Sequence, residues 1–236
     1  MLREYHRWFS PRLGRDMELL TFGHAGVPFL VFPSSMGSFH EYEDRGMVGA
    51  LSDKLEHGHL QLFCLSTVDS ESFYNDHAHP RHRVERARQY EGYVFDEVIP
   101  FVRQRNTSPE TGTTGCSFGA YHALQFALRR PDVIHRCVTM GGAYDMKRFL
   151  NGYYDDECYF LNPVDYLPNL SDEWLLGALR HNKWVLATGD RDICLRDNEH
   201  MAGVLRSKGV PVHLHVWNNS EHDWPAWLDM AKAYLP

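Results

Sequence analysis

The sequence has no excess of basic residues. Its 24 lysines and arginines stand against 31 acidic residues, a formal net charge of −7. That balance argues against nucleic acid or an anionic membrane as the main partner. No apolar run approaches the ~18 residues that would span a bilayer, so no transmembrane segment is expected. The opening stretch, MLREYHRWFSPRLGRD, carries charges where a secretory leader has an apolar core, and a cytoplasmic location is expected. Cysteine is scarce. Cys64, Cys116, Cys137, Cys158 and Cys194 are odd in number and scattered, with no C-x-x-C pair. This reads as buried reduced thiols, not as a disulfide framework or a metal cluster. A Gly-rich phosphate loop and a dinucleotide fingerprint are both missing, so no cofactor is expected.

What is present is an ordinary globular composition, 43% hydrophobic and 23% charged, in a chain long enough for one large core. Short apolar runs alternate with helical patterns. PFLVFP (28–33), LQLFCL (60–65), IHRCVTM (134–140), WVLAT (184–188) and VHLHVW (212–217) read as strands. Residues 4–9 and 17–22 read as a hairpin. Helical spacing covers 47–55, 80–105 with a break near Pro100, 120–130, 198–207 with Asp197 as a cap, and 224–234. The expected fold is α/β, a mostly parallel central sheet with helices on both faces, in a single domain over 1–236. Residues 152–182 differ in character, mixing aromatics, acids and prolines. They are expected to form a lid-like or site-flanking excursion with one short helix.

The organising stretch is Gly115-Cys116-Ser117-Phe118-Gly119, a G-x-S-x-G pattern that fits a serine on a sharp strand-to-helix turn. So short a motif arises by chance, and its surroundings must decide. A helix follows and Pro131 stops it. The preceding ETGTT (110–114) is too polar for a typical buried strand. A serine hydroxyl needs a base and an acid to orient that base. Both appear downstream in the order this architecture requires. Gly189-Asp190-Arg191-Asp192 follows a strand, and His222 lies between the last strand and the last helix. Asp190 and Asp192 both qualify, and the Gly189 turn favours the later one. For the oxyanion, the N–H of Phe118 is one expected donor. Met36, from the loop Ser34–Gly37, is chosen as the second, with Ser35 and Gly37 open.

These pieces together resemble the bacterial esterases of the α/β-hydrolase superfamily, in the branch with S-formylglutathione hydrolase-like and mycolyltransferase-like proteins. The resemblance rests on FPSSMGSFHEYEDRGM (32–47), QYEGYVFDEVIP (89–100), TGCSFGAYHALQFAL (114–128), LATGDRD (186–192) and EHDWPAW (221–227). It implies an α/β-hydrolase fold, Ser117, Asp192 and His222 as a catalytic triad, and Met36 and Phe118 as oxyanion donors. The expected function is a serine esterase acting through an acyl-enzyme on a small-molecule ester. The alternatives are acyl transfer to an alcohol and a non-catalytic binding protein on the same fold. Tyr153, Tyr154, Tyr159 and Phe160 of the excursion are the expected substrate-binding wall. His77, His79 and His82, and His213 with His215, have metal-like spacing but no carboxylate to complete a set, so no metal is expected. Oligomeric state is not legible in the sequence.

Overall fold

In the computed structural model, which describes residues 1–236, the chain opens as a hairpin. β1 (Arg3–Ser10) and β2 (Arg15–Phe22) pair antiparallel across a turn in which Gly14 takes φ 65°. Six strands complete the sheet: β3 (Val27–Phe32), β4 (Leu60–Leu65), β5 (Gly112–Cys116), β6 (Arg136–Met140), β7 (Lys183–Gly189) and β8 (Val212–Trp217). The spatial order is β1-β2-β4-β3-β5-β6-β7-β8. β2 meets β4 antiparallel, and every pair from β4 to β8 is parallel. The mostly parallel sheet expected from the sequence is present.

The period-2 alternation of strands decides which helices cover which face. Leu30 and Phe32 of β3, Phe63 and Leu65 of β4, and Trp184 and Leu186 of β7 point to one face. There they meet α4 (Pro80–Tyr93), α5 (Ile99–Arg105), α6 (Phe118–Arg129), α9 (Glu173–His181) and α10 (Leu195–Ser207). Phe29, Val31, Leu62 and Ala187 point to the other face. That face is covered by α1 (Glu41–Asp44), α2 (Met47–Ala50), α3 (Ser52–Glu56) and α11 (Trp224–Tyr234). No helix is long and apolar enough to cross a membrane.

Four local expectations are corrected. The helix expected over 47–55 is broken into two short pieces, α2 and α3, with Leu51 between them. The long helix from Pro80 is interrupted not by a break in the chain of helical residues but by a π-helical stretch at Val94–Val98, just before Pro100. A wider turn accommodates the carbonyl that the proline nitrogen has no hydrogen to satisfy. Asp197 is not the cap of α10. The helix begins at Leu195, three residues earlier than expected, with Cys194 at its N-cap, and Asp192 accepts the Cys194 N–H at 2.7 Å. The 152–182 segment carries three helices, not one: α7 (Asp156–Phe160), α8 (Pro163–Tyr166) and α9.

The polar strand is the central one. Every residue of β5, GTTGC, is buried. Small side chains are required because its neighbours crowd it: a methyl at Gly112 would come within 2.5 Å of the Phe29 ring. Thr113 meets the cost of burying its hydroxyl by donating to the Ala123 carbonyl at 2.8 Å.

Trp184 is the largest fully buried side chain, and its indole donates to the Leu179 carbonyl at 2.8 Å, fastening α9 to β7. Trp184→Ala is expected to lower unfolding free energy by about 3–5 kcal/mol, measured by denaturant titration of the purified variant.

Candidate active site

The turn between β5 and α6 forces Ser117 to φ 55°, ψ −118°, a conformation that a side chain other than glycine rarely adopts. The two motif glycines permit it by close approach. A methyl at Gly115 would sit 2.4 Å from the Gly119 carbonyl, and one at Gly119 would sit 2.2 Å from the Phe32 oxygen. The G-x-S-x-G spacing is thus a packing requirement of three chains crossing at one point.

The other two residues arrive from the ends of β7 and β8. A methyl at Gly189 would fall 1.9 Å from the Ser220 carbonyl, so only glycine lets the loop after β8 lie against the end of β7. Arg191 N–H donates to Ser220 O at 3.0 Å, and Asp190 accepts the Ser220 N–H at 3.2 Å. Asp190 is therefore a loop fastener. Backbone N–H groups of Asn219 and Ser220 hold its carboxyl below the usual range. This leaves Asp192 to face the ring: its Oδ1 lies 2.7 Å from His222 Nδ1, and His222 Nε2 lies 2.9 Å from Ser117 Oγ. The Asp192 side chain is wholly buried and His222 keeps 17% of its surface exposed.

Of the two residues named as oxyanion donors, the structure favours only one. Phe118 is the first residue of α6, where helical geometry leaves the N–H without an intrahelical partner. Met36 turns away: it is 54% exposed, and its N–H is held by Asp69 Oδ2 at 3.3 Å. In the same loop the Ser34 N–H goes to Glu41 at 2.7 Å and the Gly37 N–H to Ser34 O at 2.9 Å. The Ser35 N–H has no acceptor within the protein, and Ser35 borders the same cavity as Ser117. Of the loop residues the sequence left open, Ser35 is thus the one whose N–H is free beside Ser117, while the Met36 N–H is engaged. Its hydroxyl is occupied by Tyr74, which donates at 2.6 Å.

That cavity, about 350 Å³, is lined by Ser34, Ser35, Ser117, His222, Asp223, Trp224 and Trp227. Its aromatic wall is the start of α11, and the four excursion aromatics do not line it. Tyr121 and Gln125 of α6 bind the Leu161 and Phe160 carbonyls, each at 2.8 Å, which draws the excursion along the flank of α6. Tyr153 bonds Asp155, Tyr154 bonds Asp165, Tyr159 accepts from Asn169 at 3.1 Å, and Phe160 lies beside the Arg129 guanidinium. The signal for Trp224 and Trp227 was present in EHDWPAW, directly after the histidine.

Asp192, Cys194 and His222 bring three potential metal-ligating atoms within 4.8 Å. Burial pushes the Cys194 thiol up to about 12, and the facing Asp192 and His222 atoms are already bonded to each other. The histidine pairs at 77–82 and 213–215 are not gathered into a comparable group.

A family model described as "Putative esterase" matches residues 65–231. No curated protein matches the sequence significantly. Among solved structures, a ferulic acid esterase superposes with a TM-score of 0.80 at 16% identity, covering 100% of this chain and 96% of the other. An S-formylglutathione hydrolase from Agrobacterium tumefaciens gives 0.75 at 13%, covering 98% and 91%. Mycobacterium tuberculosis MPT51 (FbpC1) gives 0.71 at 13%, covering 98% and 96%. These likenesses establish the α/β-hydrolase fold.

Gly141, at φ 58°, leaves the space in which the acid and base meet. A methyl there would lie 2.7 Å from Asp192 Oδ2, 3.0 Å from Trp227 Nε1 and 3.1 Å from His222 Nδ1. Gly141→Ala is expected to cut ester turnover by about a hundredfold, the effect of an ångström-scale misplacement. Steady-state kinetics on protein shown to be folded by circular dichroism checks it.

Proposed function

The chain belongs to the esterase family, and from that premise we propose that it is a serine carboxylic-ester hydrolase working through an acyl-enzyme. The observation that carries this reading is the unbroken line Ser117 Oγ–His222 Nε2 at 2.9 Å and His222 Nδ1–Asp192 Oδ1 at 2.7 Å, set on the strained turn at Ser117. Ser117 attacks the ester carbonyl while His222 takes the hydroxyl proton. The developing oxyanion is met by the N–H groups of Phe118 and Ser35. His222 then returns the proton to the departing alcohol, and Asp192 stabilises the imidazolium in between. Water, activated by the same histidine, releases the acid.

The partly exposed imidazole and the small cavity support a small ester with water as the acceptor. Trp224 and Trp227 offer an apolar, rigid wall for the substrate. Every role in this chemistry is filled by a side chain or a backbone N–H, so EDTA is expected to leave turnover unchanged. Loss on chelation that a divalent ion restores would contradict it.

Ser117→Ala is expected to fold and to lose roughly a thousandfold or more in kcat on p-nitrophenyl esters. Turnover near the wild-type value from purified variant would refute the assignment. A series of p-nitrophenyl esters of rising acyl length is expected to peak at short chains.

A further inference from the structure

Behind the oxyanion loop lies a second acid–histidine pair that the proposed chemistry does not use. Asp69 follows β4 and is 2% exposed; His122 is on α6 and is 5% exposed. His122 Nε2 lies 3.1 Å from Asp69 Oδ1, and Asp69 Oδ2 accepts the Met36 N–H at 3.3 Å. Around the His122 ring stand Phe118, Phe32 and Tyr90, with centroids at 4.9, 5.9 and 5.5 Å. The Asp69 carbonyl accepts from Ser72 and Tyr74 N–H at 3.2 and 3.0 Å, so its backbone is fixed as well.

Burying a carboxylate is unfavourable unless it is bonded, and hydrophobic residues of similar volume pack such a site as well or better. The bonds this pair makes are therefore informative. They end on the loop carrying Ser35 and on the helix that begins after Ser117. Met36 sits at φ 59°, a strained position for a side chain, and the Asp69 carboxylate holds its N–H there. Holding that N–H fixes the plane of the Ser35–Met36 peptide. On the other side Glu41 holds both the N–H and the hydroxyl of Ser34, at 2.7 and 2.6 Å. Ser35 lies between two carboxylate clamps, which hold the peptides on either side of the one that carries its free N–H.

We infer that Asp69 and His122 form a positioning pair for the oxyanion site. Asp69 aims the Ser35 N–H through Met36, and His122 anchors Asp69 to the helix that supplies the Phe118 N–H. The two donors are thereby held in one frame. This rests on the proposed ester hydrolysis, because it assigns a purpose to the loop only if an oxyanion forms beside Ser117.

The test compares wild type with Asp69→Ala, Asp69→Asn, His122→Phe and His122→Gln on p-nitrophenyl acetate, with thermal melts of each. Affinity for a boronic acid, a mimic of the tetrahedral state, is measured alongside. Asp69→Ala and His122→Phe are expected to lower kcat about tenfold to a hundredfold with KM changed by less than about threefold. Boronate affinity should fall with kcat/KM, as for a loss confined to the transition state. His122→Gln, which keeps an N–H near the Nε2 position, and Asp69→Asn, which can still accept from Met36, should recover much of the rate. If Asp69→Ala does not fold, the contrast between His122→Gln and His122→Phe decides. Folded variants with kcat within twofold of wild type, or a loss residing wholly in KM, would overturn the inference. A wild type that neither turns over esters nor reacts with a fluorophosphonate would overturn the esterase reading itself.

Discussion

The backbone of Ser117, at φ 55° and ψ −118°, is strained, and the structure around it exists to hold that strain in place. β5 delivers the chain to the turn and α6 carries it away. Where they cross, the Gly115 and Gly119 backbones and the Phe32 carbonyl pass closer than any side chain would allow. The central strand is accordingly built from glycine and threonine, and its stiffness comes from pairing on both sides with β3 and β6. A hydroxyl held out on such a turn is presented the same way each time, which is what orientation-dependent catalysis needs.

The partners of that hydroxyl are placed by the same device, used twice more. Gly189 lets the loop after β8 lie on the end of β7, and Gly141 opens the space where Asp192 and His222 meet. At each of these points a backbone touches a backbone or a functional side chain with no room for a methyl group. The acid sits wholly buried against the histidine, while the histidine stays partly open. An ion pair formed during reaction would be shielded on one side and reachable by water on the other. On the far side of the serine, carboxylates of Glu41 and Asp69 fix the loop after β3 by its N–H groups. That loop is ordered by charge, where the glycine crossings are ordered by shape.

Much of this was readable from residues alone because it follows local rules. Alternation of apolar positions located the strands, and the order serine, acid, histidine at strand ends brought Ser117, Asp192 and His222 forward as candidates that the structure places in one line. The choice between Asp190 and Asp192 was also legible, since Gly189 bends the chain so that the nearer acid turns to the Ser220 loop. What was not legible depended on contacts distant in sequence. The Met36 N–H, expected to face an oxyanion, is engaged by Asp69, more than thirty positions away. The aromatics at 153–160 looked like a pocket wall, but Tyr121 and Gln125 draw their segment along α6. The polar character of β5 argued against burial because propensity weighs single residues, whereas a crowded crossing selects for small ones.

The proposed chemistry requires that Ser117 become covalently acylated. Rapid mixing with excess p-nitrophenyl butyrate, acid quench and peptide mapping by mass spectrometry tests it directly. A butyryl group is expected on the peptide bearing Ser117 during turnover and is expected to be absent from the same peptide once substrate is exhausted. Turnover without any adduct, or with the adduct on another side chain such as Cys194, would contradict it.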